Sequence, residues 1–297
     1  MSGPRRTYRS FAKVNLHLQV VGRRADGYHE LRTVFQSIDL HDLVTLELGG
    51  QGVTLEVAEG PPALPRDARN LAARAAAAFL ERFAPGAGAH VGLRKRVPLG
   101  GGLGGGSSNA ATVLLGLRDL LGVPPRIGDL EPLARQLGAD VPYFLVGGAA
   151  LGRGRGDEVA PLAELPETEL WLAISPLQVS TAEAFTGLGT LPPRPLAGAV
   201  EAWARGGGAP DLSAAHLWND LEESVRRRYP SLDQVYNRLV AAGGRPVRMS
   251  GSGATFFALF SRTEAAEAAA ARLPAGTRLL PARTLSRPAS AARAVAD

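Results

Sequence analysis

Between Pro98 and Ala111 the chain reads Pro-Leu-Gly-Gly-Gly-Leu-Gly-Gly-Gly-Ser-Ser-Asn-Ala-Ala, with six glycines in the seven positions 100–106. Glycine lets backbone N–H groups approach an anion with no Cβ in the way. A helix opening directly behind them adds four unpaired N–H groups and the positive end of its dipole. The stretch reads as a phosphate cradle, and its expected client is a nucleoside triphosphate. No lysine follows the glycines, so the P-loop pattern fails. Gly100, Gly102 and Gly105 formally satisfy G-x-G-x-x-G, but that motif needs an acidic residue at the end of the next strand, about 20 residues on. Asp119 falls inside the expected helix instead, and a Pro124-Pro125 turn follows it. A flexible Gly/Ser linker is the bland alternative, and such linkers rarely run directly between strand-like and helix-like segments.

A second signal lies in the cations. Of 33 basic residues only Lys13 and Lys95 are lysines. Lysine is a compact, rotatable point charge that arginine does not replace, so these two positions attract attention. Lys95 and Arg96 precede the glycine loop; they either reach the nucleotide or are solvated strand residues.

The elements that must position these groups follow from periodicity. Residues 8–21 alternate, with Val14, Leu16, Leu18 and Val20 on one face and Lys13, Asn15, His17 and Gln19 on the other, which predicts a strand. A turn signal at Asp26-Gly27 leads to strands at 31–38, 43–48 and 53–58. Asn70 caps an Ala-rich helix over 71–83. Residues 90–97 form a strand into the glycine loop, helices follow at 107–121 and 129–137, and Gly138 to Pro142 break the pattern. Residues 147–157 read as a hairpin or loop.

The second half starts with a strand at 170–174. Helices follow at 181–188, 197–205, 215–228 and 231–242, with Asn219-Asp220 read as a helix cap. Strands 245–249 and 254–260 flank the tight turn Ser250-Gly251-Ser252-Gly253. A helix at 263–273, a strand at 277–284 and a frayed Ala/Arg tail close the chain. Strands and helices mix without strict βα alternation, so the fold class is α+β. A length of 297 residues suits two domains, placed at 1–160 and 161–297.

Composition narrows the function classes. Hydrophobic content of 45% and charge of 21% describe a globular protein with no bilayer-spanning run. The start of the chain leads straight into strand-like sequence, which leaves no room for a targeting peptide. The absence of cysteine excludes disulfides and cysteine-held metals, and the expected location is the cytoplasm. The net charge of +5 is scattered, which favours anionic small molecules over a nucleic-acid face. Neither nucleic acid nor membrane is an expected partner, and oligomeric state cannot be read.

Three blocks now stand in order: Ala12-Lys13-Val14-Asn15-Leu16 with Ala25-Asp26-Gly27-Tyr28-His29-Glu30-Leu31, then Pro98 to Ala111, then Ser250-Gly251-Ser252-Gly253-Ala254. Together they resemble the GHMP kinases over about residues 8–285. The resemblance implies an N-terminal domain like the second domain of ribosomal protein S5, a ferredoxin-like C-terminal domain, and an active site between them. It implies transfer of the ATP γ-phosphoryl group to a small alcohol. The Ala-Asp-Gly-Tyr-His block narrows that alcohol to the C2 hydroxyl of a cytidine-diphosphate-linked sugar alcohol of non-mevalonate isoprenoid synthesis.

Residue by residue, Asp140 matches the family's catalytic aspartate, the group that would orient or deprotonate the hydroxyl; otherwise it is a turn aspartate before an X-Pro step. Lys13 matches the catalytic lysine that pairs with it and steadies the developing alkoxide. Asn15, on the same face, would contact substrate. Tyr28 would stack on the cytosine and His29 would hydrogen-bond its edge. Phe185 falls where a second stacking aromatic is expected, although a helical Phe is equally a core residue.

Pro98, Gly100, Gly101, Gly102, Leu103, Gly104, Gly105, Gly106, Ser107 and Ser108 would hold ATP, with Ser108 approaching Mg²⁺. No residue matches the glutamate with which several relatives ligate the metal, so Mg²⁺ is expected on ATP oxygens and water, with no protein ligand. The rival readings are another GHMP kinase such as a homoserine kinase, a basic RNA-binding module with an S5-like fold, and a nucleotide-binding regulator without chemistry.

Overall fold

The computed structural model describes residues 3–122, 125–188, 198–212, 217–292 and 294–295. Pro124 of the expected Pro-Pro turn, residue 197 and residues 215–216 of two expected helices lie outside them.

The first layer is a seven-stranded mixed sheet. Its centre is β1 (Arg5–Arg23) paired antiparallel with β2 (His29–Leu48). The expected strands 31–38 and 43–48 are thus one strand, because pairing with β1 carries the backbone through the polar Asp39–Asp42 stretch with register shifts. Beyond β2 lie β3 (Gly52–Glu59) and, after α1 (Leu71–Phe83), β4 (Gly88–Arg94). Asn70 caps α1 as its sequence demands, its side chain accepting from the Ala72 N–H at 3.0 Å.

Three helices lie over one face: α1, α2 (Gly105–Leu121) and α3 (Ile127–Leu137). Phe79, Leu114 and Leu130 from them pack on Leu46, Val91 and Leu93 of the sheet. The expected break at 138–142 instead begins a further helix, α4 (Val141–Val146), with Pro142 in its first turn, where a missing N–H costs nothing. The 147–157 segment is a hairpin, β5 (Ala149–Arg153) and β6 (Glu158–Pro161), with β5 joined to β2.

The second layer is an antiparallel four-stranded sheet. Its first strand is β7 (Glu169–Ile174), followed by α5 (Thr181–Thr186) and α6 (Gly198–Ala204). The expected helix over 215–228 is divided. Trp218–Asn219 forms β8, parallel to β1 in the first sheet, and only Glu222–Arg228 is helical, as α7. Asn219 and Asp220 therefore do not cap a helix in the expected way. Asn219 Nδ2 donates to the carbonyls of Met249 and Gly251, and Asp220 Oδ2 accepts from the Val20 N–H, so the pair ties the layers together.

Then come α8 (Pro230–Ala241), β9 (Val247–Met249), β10 (Thr255–Ala258), α9 (Thr263–Ala270) and β11 (Arg278–Arg283). The sheet order β11-β7-β10-β9 is that of a ferredoxin-like βαββαβ unit. The tail is docked rather than frayed: α10 (Arg287–Ser290) follows, and the Val295 N–H donates to the Thr7 carbonyl.

The two layers share apolar contacts. Val14, Leu16 and Val34 pack with Leu172, Trp203 and Phe257 in one buried cluster. That cluster fixes the walls of the cleft above it. No described helix is long and apolar enough to cross a membrane.

Candidate active site

The glycine loop turns from β4 into α2 at the floor of this cleft. Gly104 immediately precedes the helix with φ +70°, and a Cβ there would lie 2.7 Å from the Phe144 ring and 3.1 Å from Lys13 Cε. At Gly102, with φ +72°, a Cβ would strike the Ser250 carbonyl oxygen. Only glycine meets both demands. The loop is also sewn to its neighbours: Lys13 N–H donates to the Leu103 carbonyl at 3.0 Å, and Ser250 Oγ donates to the Gly102 carbonyl at 2.9 Å. Behind it, Gly105, Gly106 and Ser107 open α2 with no acidic side chain in the first turn and no side-chain cap. Those N–H groups and the helix dipole face the cleft as an anion site.

Lys13 is buried, and its ammonium has three acceptors for three protons: Asn15 Oδ1 at 2.6 Å, the Gly102 carbonyl at 2.9 Å and Asp140 Oδ2 at 3.3 Å. Asp140 precedes α4 but makes no cap with its side chain, which leaves the carboxylate for Lys13. Its side chain is 34% exposed, against 3% for the lysine, so the acid is the partner that a ligand can reach.

Asn15 was expected to touch substrate. It lines the cleft, and its amide also makes contacts within the protein, Oδ1 accepting from Lys13 Nζ at 2.6 Å and Nδ2 donating one of its two protons to Thr33 Oγ1 at 2.8 Å. The structure gives it the work of aiming Lys13.

Tyr28 and His29 sit at one end of the same cleft, on a turn that holds itself together. Arg24 N–H donates to the Tyr28 carbonyl at 2.8 Å, and Asp26 accepts from the Tyr28 N–H at 3.1 Å. Tyr28 is 56% exposed, unusual for a large aromatic unless something is meant to cover it. Phe185 on α5 lies against His29, ring centroids 4.7 Å apart and 18° from parallel. Burial, helped by the nearby Arg23 charge, holds the His29 ring below its ordinary pKa and therefore neutral.

The cleft has a volume of about 1360 Å³ and takes in the loop from Pro98 to Ser107, Lys13, Asp140, Tyr28, His29 and Phe185. Gly251 and Ser252 of the second turn also line it.

Two expectations need correction. Ser108 is buried and turned away from the cleft, its hydroxyl donating to the Phe11 carbonyl and paired with Ser10 Oγ, so its side chain cannot approach a metal on ATP. Lys95 neither reaches the nucleotide nor is solvated. It forms an ion pair with Asp42, both side chains essentially sealed from solvent, and also donates to Asn109 Oδ1 at 2.9 Å. Asp42 accepts in turn from the N–H groups of Arg96 and Val97 and from Asn109 Nδ2. Sequence reasoning passed over Asp42 because an aspartate inside a strand carries no local signature. The one signal in the sequence was the rarity of lysine itself, which marks position 95 without naming its partner.

The family model described as GHMP kinases N terminal domain matches residues 70–148, and that described as GHMP kinases C terminal matches residues 207–277. The 4-diphosphocytidyl-2-C-methyl-D-erythritol kinase of Geobacter sp. (strain M21) is 39% identical over 262 residues, covering 88% of this chain and 92% of its own. A solved structure of 4-(cytidine 5'-diphospho)-2C-methyl-D-erythritol kinase is 40% identical, with TM-score 0.75 over 94% of this chain and 98% of its own. A homoserine kinase from Cytophaga hutchinsonii, 22% identical with TM-score 0.71 over 98% of this chain and 97% of its own, shares the fold. With the glycine loop, the paired lysine and aspartate and the aromatic turn in one cleft, and with relatives this similar over most of its length, the chain belongs to the GHMP kinases, in the family of the 4-diphosphocytidyl-2-C-methyl-D-erythritol kinases.

Proposed function

We propose that this chain transfers the γ-phosphoryl group of ATP to the C2 hydroxyl of 4-diphosphocytidyl-2-C-methyl-D-erythritol. The observation that carries the reading is the placement of the Lys13–Asp140 pair between the helix-backed glycine loop and the Tyr28-His29 turn. Phosphoryl transfer asks mainly for positioning, charge neutralisation and a group to receive the hydroxyl proton. Asp140 receives that proton, and Lys13 steadies the charge that develops between donor and acceptor oxygens. The N–H groups at the start of α2 hold the ATP phosphates.

Tyr28 and Phe185 supply ring faces for the cytosine, and the neutral His29, which lies against Phe185, reads its edge. Mg²⁺ enters with ATP, carried by phosphate oxygens and water. In functional terms residues 1–160 carry the nucleotide loop and both reacting groups, and residues 161–297 add Phe185 and the Ser250–Gly253 turn. The partners are the two small molecules, and the reading puts the reaction in the cytoplasm, where ATP is at hand.

ATP turnover measured with and without the cytidyl substrate tests the reading, with stimulation by the substrate as the expected result. No stimulation overturns it. Stimulation by homoserine in its place would favour the other branch of the fold, which has no use for Tyr28 and His29.

A further inference from the structure

The proposed substrate joins its cytosine to its sugar alcohol through a diphosphate, and that dianion must cross the cleft between Tyr28 and Asp140. Three cations line the cleft: Lys13, Arg23 and Arg155. Lys13 already has an acceptor for each of its protons. Asp140 is the one carboxylate among the lining residues.

Arg155 stands at the tip of the β5–β6 hairpin, between Gly154 and Gly156, whose positive φ values of +65° and +96° set the turn. The hairpin is pinned beside the aromatic turn, Leu31 N–H donating to the Gly154 carbonyl at 2.7 Å and Gly154 N–H to Glu30 Oε1 at 3.1 Å. The Arg155 guanidinium carbon lies 5.2 Å from the centre of the Tyr28 ring. On the other side, Gly156 lies against the Phe35 ring, the ring over which the Lys13 ammonium stands at 5.6 Å. The hairpin tip thus spans the gap between the pyrimidine face and the reacting pair.

The guanidinium is also aimed. Asp157, itself buried, accepts from Arg155 Nε at 3.2 Å and Nη2 at 2.8 Å, both through Oδ2. That grip holds the guanidinium beside the Tyr28 ring and commits its Nε–Nη2 edge. The Nη1 edge is left for an anion, and a planar fork held in place suits a phosphate.

We propose that Arg155 reads the diphosphate of a cytidine-diphosphate ester, binding its oxygens from beside the Tyr28 ring. The inference rests on the function proposed above. It makes Arg155 a determinant of substrate specificity in the cleft, separate from the ATP phosphate cradle.

The test is calorimetric binding of cytidine, CMP and CDP to the wild type, Arg155→Gln and Arg155→Lys, with ATP binding as the control for folding. A charge-assisted contact to phosphate predicts that the wild type prefers CDP to cytidine by about 10- to 100-fold. Arg155→Gln should abolish most of that preference and leave cytidine affinity within a few-fold, and Arg155→Lys should keep part of it. Equal loss of cytidine and CDP binding in Arg155→Gln would make the residue a prop for Tyr28 and overturn the proposal. An unchanged preference would overturn it too. A wild type that binds ATP but none of the three cytidine ligands would instead remove the cytidyl reading itself.

Discussion

Two lysine–aspartate pairs flank the glycine loop, and they differ in one respect that decides what each can do. Lys95–Asp42 lies behind the loop, with side-chain exposures of 1% and 0%. Every polar contact around it leads to protein: Asn109, Ser10 and the backbone of Arg96 and Val97. Lys13–Asp140 lies in front, with exposures of 3% and 34%. There the lysine is held as tightly, by Asn15 and Gly102, but the acid opens onto the cleft. The ionic chemistry is the same in both. A sealed pair can only hold structure, whereas a pair with one open partner can exchange a proton with a bound hydroxyl.

The comparison can be broken first at the open lysine. Lys13→Met should lower kcat by about 10²–10³-fold, the scale of losing one preorganised group at a developing charge. Its melting temperature should fall less than that of a variant at the sealed pair, because Asp140 is exposed enough to be solvated and the uncharged Asn15 Oδ1 is the main acceptor left short of a partner. A large fall in thermal stability with modest loss of rate would put Lys13 in the same class as Lys95.

At the sealed pair the order reverses. Asp42→Asn leaves a buried ammonium short of its counter-charge and should cost about 3–5 kcal/mol of stability, read by urea unfolding. The double variant Asp42→Asn/Lys95→Met should recover part of that loss, since it removes the uncompensated ammonium while the asparagine amide oxygen keeps accepting from the Arg96 and Val97 N–H groups. No double variant of Lys13 and Asp140 should recover rate. Failure of the first double variant to regain any stability would show that the sealed pair does more than balance charge.

A smaller effect sharpens the substrate end of the cleft. Burial and Arg23 hold the His29 pKa below its ordinary value of about 6.5, so the neutral ring persists to lower pH than a free imidazole would. KM for the cytidyl substrate should therefore be flat from pH 8 down to about 6.5 and rise only below it, as the ring gains a proton and loses its acceptor. KM for ATP should not follow. His29→Gln should flatten the curve. A rise centred above pH 7 would contradict the direction of the shift.

Local signals wrote much of this molecule in advance. The Asn70 cap and the alanine run delimit α1, and the glycines followed by Ser107-Ser108-Asn109 announce α2 and its anion site, because the energetics involved act within a few residues. What stayed hidden depends on distant partners. Trp218–Asn219 has helical neighbours in sequence but becomes a strand because β1 offers it a parallel edge. Ser108 looks like a phosphate ligand until Ser10 and Phe11 claim its hydroxyl from nearly a hundred residues away. Asn15 reads as a substrate contact and does line the cleft, but only the fold shows that its amide also holds Lys13 and Thr33. The scarcity of lysine drew attention to two positions, and only the fold shows that Lys13 lines the cleft while Lys95 is sealed behind it.

The most direct measurement is a single-turnover rate of phosphoryl transfer from ATP to the cytidyl substrate, taken with Asp140→Asn beside the wild type and with melting curves for both. The asparagine keeps the shape and removes the proton acceptor. The rate should fall by about 10²–10⁴-fold, the range that a positioned general base supplies, and the melting temperature should hardly change. Transfer at the wild-type rate in Asp140→Asn would contradict the assignment of the open pair to the chemistry.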